Sequence, residues 1–464
     1  MPSITEKMQS ELALEEIFGQ ATEYALNYIN NIGDQDPFPS PLAIAQLSYF
    51  NESLPTKGIK STEILKLLHT YGSPATTAQT GGRYFGFVTG GAIPVALASK
   101  WLTDVWDQNS GLYLMSPVAS TIEAVTETWL REIFDLDQNV VASFLSGTSM
   151  AIVCGLAAAR YRIFKRANWD FNQKGHNGGP VIRIVAGDTA HGAVIKAISL
   201  LGFGIDNIEW VDTDDQGRLI LGQLPELDDK TIVVLQAGNV NTGAFDPIQQ
   251  VCKRANEAGA WVHIDGAFGL WAAASSDLKH LTRGMKNAQS WSVDGHKTLN
   301  TPYDNGILLC ADKQALHGAL QSSGSYLAYS EQRDGMLYTP EMSRRARAIE
   351  LWATLKYLGK HGVDELVTGL HTRATQFAEQ LRANNFQVLN EVVFNQIIVG
   401  FEHNDIYTQK IVEHIQASGD CWVGSSTWQG KVVIRISICS WATTSADVCR
   451  SVTAFIKARN SLAA

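Results

Sequence analysis

The chain predicts an α/β protein: a large domain with a mostly parallel central sheet flanked by helices, followed by a small α+β domain. Two patterns carry this expectation. From about residue 140 to residue 297, short apolar runs alternate with stretches of helical periodicity, the mark of successive β–α units whose strands lie parallel. Past Gly362 the order becomes helix, strand, helix, strand, helix, which builds a second and smaller layer. At 464 residues and 45% hydrophobic, the chain is long enough for both cores. The expected boundaries are 1–90 for an N-terminal helical and extended segment, 91–340 for the large domain, and 341–464 for a connecting helix and the small domain.

Composition narrows the function classes. A formal charge of −9 with no basic tract argues against a nucleic-acid partner. Charged residues run through Thr5 to Glu16, unlike the basic-then-apolar layout of a signal peptide, and no apolar run approaches the ~18 residues of a membrane span. A cytoplasmic enzyme is the simplest reading. The six cysteines (Cys154, Cys252, Cys310, Cys421, Cys439, Cys449) form no CxxC, and the eleven histidines form no HExxH, so buried thiols and no metal site are expected.

Taken in order, Glu11 to about Asn31 carries apolar residues at helical spacing (Leu12, Ile17, Ala21, Tyr24, Tyr28), followed by the extended Asp36-Pro-Phe-Pro-Ser-Pro. An amphipathic helix this far from the main core needs a surface to cover its stripe, on its own chain or on a partner. Gly81 to Gly91 is a glycine-rich aromatic loop, and Pro94 opens a helix to Val105. A helix over Thr121–Ile133 precedes a strand at Val140–Leu145, which ends in Ser146-Gly-Thr148-Ser149 before a helix from Met150 to Arg160. Free N–H groups and the positive dipole end at such a turn make a phosphate cradle with Thr148 and Ser149 as its holders, although Ser-Gly-Thr-Ser is also a good helix cap. Further strands are expected at Arg183–Asp188, Ile208–Val211 and Thr231–Gln236. After the first, Thr189-Ala-His191-Gly opens a helix; after the last comes a polar turn with Asn241 and Thr242, where an α/β sheet puts ligand contacts, and Asp246-Pro247 then starts a helix through Ala258.

The chemistry converges on two segments. Ala260-Trp-Val-His-Ile-Asp265 is an apolar run that delivers one carboxylate at its end. Ser290 to Val293 is a short strand broken by Asp294-Gly-His296-Lys297, so the lysine amine projects from a strand end. Most lysines are solvated surface charges, but a lysine paired with a strand-end carboxylate suits pyridoxal 5'-phosphate: the amine forms a Schiff base and the acid holds the pyridine nitrogen protonated.

With Asp265-Gly-Ala267 and His296-Lys297 in place, the chain resembles the group II pyridoxal-phosphate-dependent amino-acid decarboxylases of fold type I, in the aspartate aminotransferase superfamily. The resemblance spans nearly the whole chain, including Ser343-Arg-Arg-Ala-Arg347. It implies decarboxylation of an L-amino acid to an amine and CO2, with Lys297 as the Schiff-base lysine, Asp265 on the pyridine nitrogen, His191 stacked on one ring face and Ala267 against the other. Thr148, Ser149, Asn241, Thr242, Asp294 and His296 become candidate cofactor contacts, and Phe87 and Thr89 candidate substrate contacts, though that loop is equally consistent with simple packing. A loop over 322–339 matches one whose tyrosine protonates the substrate carbon after CO2 leaves; among Tyr326, Tyr329 and Tyr338 the choice falls on Tyr338. Arg435 resembles an arginine that holds substrate carboxylates, with a domain-junction ion pair as the alternative. The family also implies a homodimer with the site at the subunit interface and the N-terminal segment packed across the partner. The competing readings are another fold type I reaction (aldehyde-forming decarboxylase or oxidative deaminase, lyase, aminotransferase) and a catalytically silent binding protein.

Overall fold

The computed structural model describes residues 3–13, 15–321, 329–401 and 405–463. Its centre is a sheet of seven strands, β1 (Val141–Leu145), β2 (Arg183–Gly187), β3 (Ile208–Val211), β4 (Thr231–Gln236), β5 (Trp261–Asp265), β6 (Ser290–Asp294) and β7 (Gly306–Cys310). They lie in the order β1-β7-β6-β5-β4-β2-β3. From β6 to β3 every neighbour is parallel, whereas β7 runs antiparallel to both β6 and β1. Helices cover both faces, so β1, β4, β5, β6 and β7 are buried at every position. That is why these strands read as continuous apolar runs instead of alternating ones. One face packs Phe144, Val262, Trp271 and Trp291; the other packs Leu145, Ile184, Trp261 and Leu308 against the helix Thr148–Arg166.

Strand β7 is absent from the sequence reading, although Gly306-Ile-Leu-Leu-Cys310 is a bounded apolar run. Its partners are set by the loop before it. The N–H groups of Gly295 and His296 donate to Asn305 O and that of Thr301 to Gly295 O, so the chain turns back on itself and β7 inserts between β6 and β1. Gly306 then lies against Gly147, where a Cβ would come within 2.2 Å of the Gly147 Cα. The missing side chain lets the start of the Thr148 helix reach the Lys297 turn.

A second sheet, β8 (Gln387–Val388), β9 (Gln396–Gly400), β10 (Gly424–Trp428) and β11 (Lys431–Ser437), is antiparallel in the order β10-β11-β9-β8. Its core includes Phe377, Phe386, Ile434 and Phe455. The strand expected at Cys421–Ser425 starts later because Trp422 pairs with Tyr84, and Phe85 N donates to Trp422 O at 2.8 Å. Residues 83–85 are thereby tied to the small sheet. The helix expected from Ser343 starts instead at Ala348, since Arg345 bridges to Asn109 in extended form, and it runs to Ala383 through a non-helical Gly359.

The single N-terminal helix expected over Glu11–Asn31 is two, Ile4–Ala13 and Glu16–Asn31, interrupted by the left-handed Glu15. Neither buries a residue, and Leu12, Phe18, Leu26 and Ile29 are exposed. Among the described residues no helix is long and apolar enough to cross a membrane.

Inside β5, His263 is fully buried, its Nδ1 is 2.8 Å from Ser290 Oγ, and burial pulls its pKa from 6.5 to about 3. The folded chain refuses a proton that the unfolded chain accepts. Stability from this residue is therefore complete above pH 6.5 and is lost as pH falls toward about 3, at roughly 1.4 kcal/mol per pH unit. Urea melts at several pH values below 6.5 should show His263→Gln losing stability less steeply than the parent; equal slopes would mean that another group controls the acid limb.

Candidate active site

The site grows from the ends of two adjacent parallel strands. β5 ends in Asp265, which is paired in register with Ser292 of β6, and β6 ends in Asp294. The turn that follows carries Lys297 back until its Nζ lies 2.8 Å from Asp294 Oδ2. The same carboxylate accepts the Thr148 N–H at 2.7 Å and the Thr148 hydroxyl, and His296 Nε2 stands 3.6 Å away. Asp294 thus caps the helix that begins at Thr148 and neutralises the lysine together.

Asn300, in the left-handed conformation, locks the turn from below. Its amide donates to Thr298 O (2.8 Å) and Cys439 O (2.9 Å), and its Oδ1 accepts from Gly91 N (2.6 Å) and Trp441 N (2.9 Å). The 81–91 loop lies directly on the lysine turn: Gly90 N donates to His296 O at 3.1 Å, and a Cβ on Gly90 would meet Lys297 O at 2.1 Å.

Electrostatics link these groups to His191. Its Nδ1 accepts from Ala193 N at 3.2 Å, capping the helix Gly192–Leu200, and the residue remains exposed. Burial lowers its pKa, Asp265 opposes that, and Lys297 and Arg435 reinforce it. Burial pushes Asp265 up against the pull of His191 and Lys297. Lys297 shifts the other way: burial pulls its pKa down, but the contact with Asp294 outweighs it and the net shift is upward. One carboxylate is therefore held ionised beside an ammonium, while the other is pushed toward neutrality.

Aromatic rings surround the turn. Tyr303 stacks on His296 (centroids 4.2 Å apart), while Tyr84 and Phe87 both lie parallel to Trp422 at 4.9 and 6.1 Å. Phe87 is exposed in a left-handed conformation, Trp441 is exposed with its indole N–H on Ala92 O, and Thr89 Oγ1 is buried with no hydrogen-bond partner. The sequence reading missed Asn300, Tyr303, Trp422 and Trp441. Asn300 and Tyr303 follow within six residues of Lys297, but Trp422 and Trp441 have no local signal because they arrive from the small domain.

Several of the expected contact residues have partners within the chain. Thr148 is buried and spends both its N–H and its hydroxyl on Asp294, whereas Ser149 beside it is exposed. Thr242 is fully buried: its hydroxyl donates to Gln216 O and accepts from Ala244 N, so it serves the turn and has no surface for a ligand. Asn241 is half-buried, and its Oδ1 accepts from Ser426 Oγ at 2.7 Å, tying the turn to β10. Arg435 is half-buried, with one long contact to Val240 O and no ion pair among the described residues.

The residues present fit pyridoxal phosphate. Asp265 and Lys297 act on each other electrostatically from neighbouring strand ends, Ala267 leaves a partly open small position, and Gly147 keeps a space that a Cβ would fill at 3.5 Å from His296. The profile of the family described as the pyridoxal-dependent decarboxylase conserved domain matches residues 45–402. An aromatic-L-amino-acid decarboxylase of Bacillus atrophaeus is 24% identical over 455 residues, covering 92% of each chain. The Oryza sativa TDC solved with PLP and tryptamine superposes with a TM-score of 0.88 at 21% identity, covering 100% of this chain and 99% of that one. A Rhodiola rosea 4-hydroxyphenylacetaldehyde synthase gives 0.82 at 20% identity, covering 100% and 99%.

Tyr338 is not a mobile loop residue. It is buried in the core, edge-on to His317 at 4.6 Å, with the Arg333 guanidinium 3.9 Å over its ring. That packing encloses the phenol between His317 and Arg333 of its own chain. Tyr326 lies outside the described residues, and Tyr329 is exposed. Tyr338→Phe should keep turnover and stability near the parent, while Tyr338→Ala should cost about 3–5 kcal/mol in denaturant melts. A collapse of turnover in a stably folded Tyr338→Phe would reinstate the phenol as a proton donor.

Proposed function

The chain belongs to the pyridoxal-dependent decarboxylase family, and from that premise we propose that Lys297, Asp265 and His191 are the working centre with which it removes CO2 from an L-amino acid carrying an aromatic side chain. The carrying observation is the convergence of an ion-paired lysine and a buried carboxylate from adjacent strand ends, with a histidine in electrostatic contact with both. When bound, pyridoxal phosphate supplies the electron sink for the pair left behind by departing CO2.

The chain's own groups do the rest. Lys297 offers the amine for the Schiff base. Asp265, pushed toward neutrality by burial, regains its charge beside a cationic ring nitrogen, and Ala267 leaves room for a flat ring opposite His191. The exposed Ser149, at the start of a helix, presents its N–H and hydroxyl to a phosphate, a task that Thr148 has given up to Asp294. His191, held low in pKa, is neutral at neutral pH and can donate to or stack beside the substrate without adding charge. The orphaned Thr89 hydroxyl is available to the substrate carboxylate, and Arg435 supplies positive charge behind it. Phe87, Trp422, Tyr84 and Trp441 form an aromatic wall next to the lysine turn, which favours an aromatic side chain over an acidic one. The exposed apolar residues of the N-terminal helices, Leu12, Phe18, Leu26 and Ile29 among them, favour a homodimer in which a second copy covers them.

A second reading, aldehyde formation from the same substrates, has one observation in its favour: the phenol expected to deliver the final proton is locked in the core at Tyr338. Incubation with a panel of L-amino acids, assaying CO2, amine, aldehyde and keto acid, separates the two. CO2 and amine from aromatic substrates are expected; keto acid without CO2 would overturn decarboxylation. Lys297→Ala should abolish turnover and leave no pyridoxyl group fixed by borohydride. Asp265→Asn should lower kcat/KM on the order of 10²-fold, the loss expected on removing one partner of a buried charge pair.

A further inference from the structure

Asp294 does more than cap a helix. We propose that it is the proton partner of Lys297: it holds the resting amine as an ammonium and accepts the proton that the amine must shed before it can act as a nucleophile. The inference rests on the reading of Lys297 as the cofactor lysine.

The geometry sets up this role. The carboxylate is buried, its Oδ2 lies 2.8 Å from Lys297 Nζ, and two donors of Thr148 fix it there. Asp265 also attracts the ammonium, but no ion pair joins the two among the described residues, and burial pushes Asp265 away from its charged form. The other groups facing the pair are His296 and Tyr303 of the same turn, Cys439 after β11, and His191 with Arg435 behind it. Both histidines have lowered pKa values and are poor proton acceptors, and burial keeps the Cys439 thiol protonated. Asp294 is therefore the one ionised acceptor in hydrogen-bond contact with Nζ among the described residues.

The proton balance closes within the pair. The ammonium would pass one proton to the Asp294 carboxylate and the freed lone pair would attack the aldehyde carbon; the carbonyl oxygen would then leave as water with one proton from the nitrogen and the one held by Asp294, so that a protonated C=N bond and an ionised Asp294 remain. When the substrate amine later displaces Lys297, the released amine would take up the proton that the substrate ammonium sheds and pair with Asp294 again.

Competitive acylation with acetic anhydride across a pH series, read as the labelling of each lysine by mass spectrometry in cofactor-free protein, tests this without requiring turnover. In the parent protein the labelling midpoint of Lys297 should lie above that of the exposed Lys196. Asp294→Asn should lower it by about 1 to 3 pH units, a gain of about tenfold or more in labelling rate below the midpoint, and Asp294→Glu should restore most of the shift. An unchanged midpoint in folded Asp294→Asn overturns the proposal. If that variant does not fold, a parent midpoint at or below that of Lys196 overturns it, and one above supports it. Failure of borohydride to fix pyridoxal phosphate on Lys297 in the parent would sink the cofactor reading instead, so the two outcomes stay distinguishable.

Discussion

A carboxylate buried between a helix N-terminus and an ammonium is costly to disturb, because moving it uncovers two positive ends in a medium that solvates neither. Asp294 is such a group, and much of the site takes its position from it. It fixes where the helix Thr148–Arg166 begins, where Lys297 points and how far His296 stands from both. Gly306 belongs to the same constraint, since a side chain there would collide with Gly147 and push the helix start away from the turn.

Two carboxylates at neighbouring strand ends would ordinarily repel each other, and the fold gives them different fates. Asp294 faces three positive or donating groups and stays ionised. Among the described residues the Asp265 carboxylate accepts hydrogen bonds from Ser292 Oγ and Ala267 N alone, both at 3.3 Å, so burial dominates and raises its pKa. A cationic ring placed against Asp265 supplies the missing partner, which makes the site chemically incomplete in a way that fits a protonated pyridine.

The surroundings of the lysine turn are assembled from distant parts of the chain. Asn300 ties the lysine turn to Gly91 on one side and to Cys439 and Trp441 on the other. Trp422 pairs with the strap at Tyr84 while its indole underlies Phe87. The small sheet is thereby tied to the aromatic residues and to the lysine turn through one set of hydrogen bonds.

The order of β-α units, the carboxylate ending β5 and the lysine after β6 were all legible in the linear chain, because buried parallel strands write themselves as unbroken apolar runs and their ends announce themselves as polar turns. What the chain alone leaves open is which polar groups already have partners. Thr148 and Thr242 look like free hydroxyls until Asp294 and the Gln216 carbonyl claim them, and Tyr338 looks like a loop phenol until Arg333 and His317 enclose it. Local sequence thus determined which groups stand at strand ends. Only the tertiary structure decided which of them are spent and which remain open, since a hydrogen bond or a charge is used up by a partner that can lie hundreds of residues away.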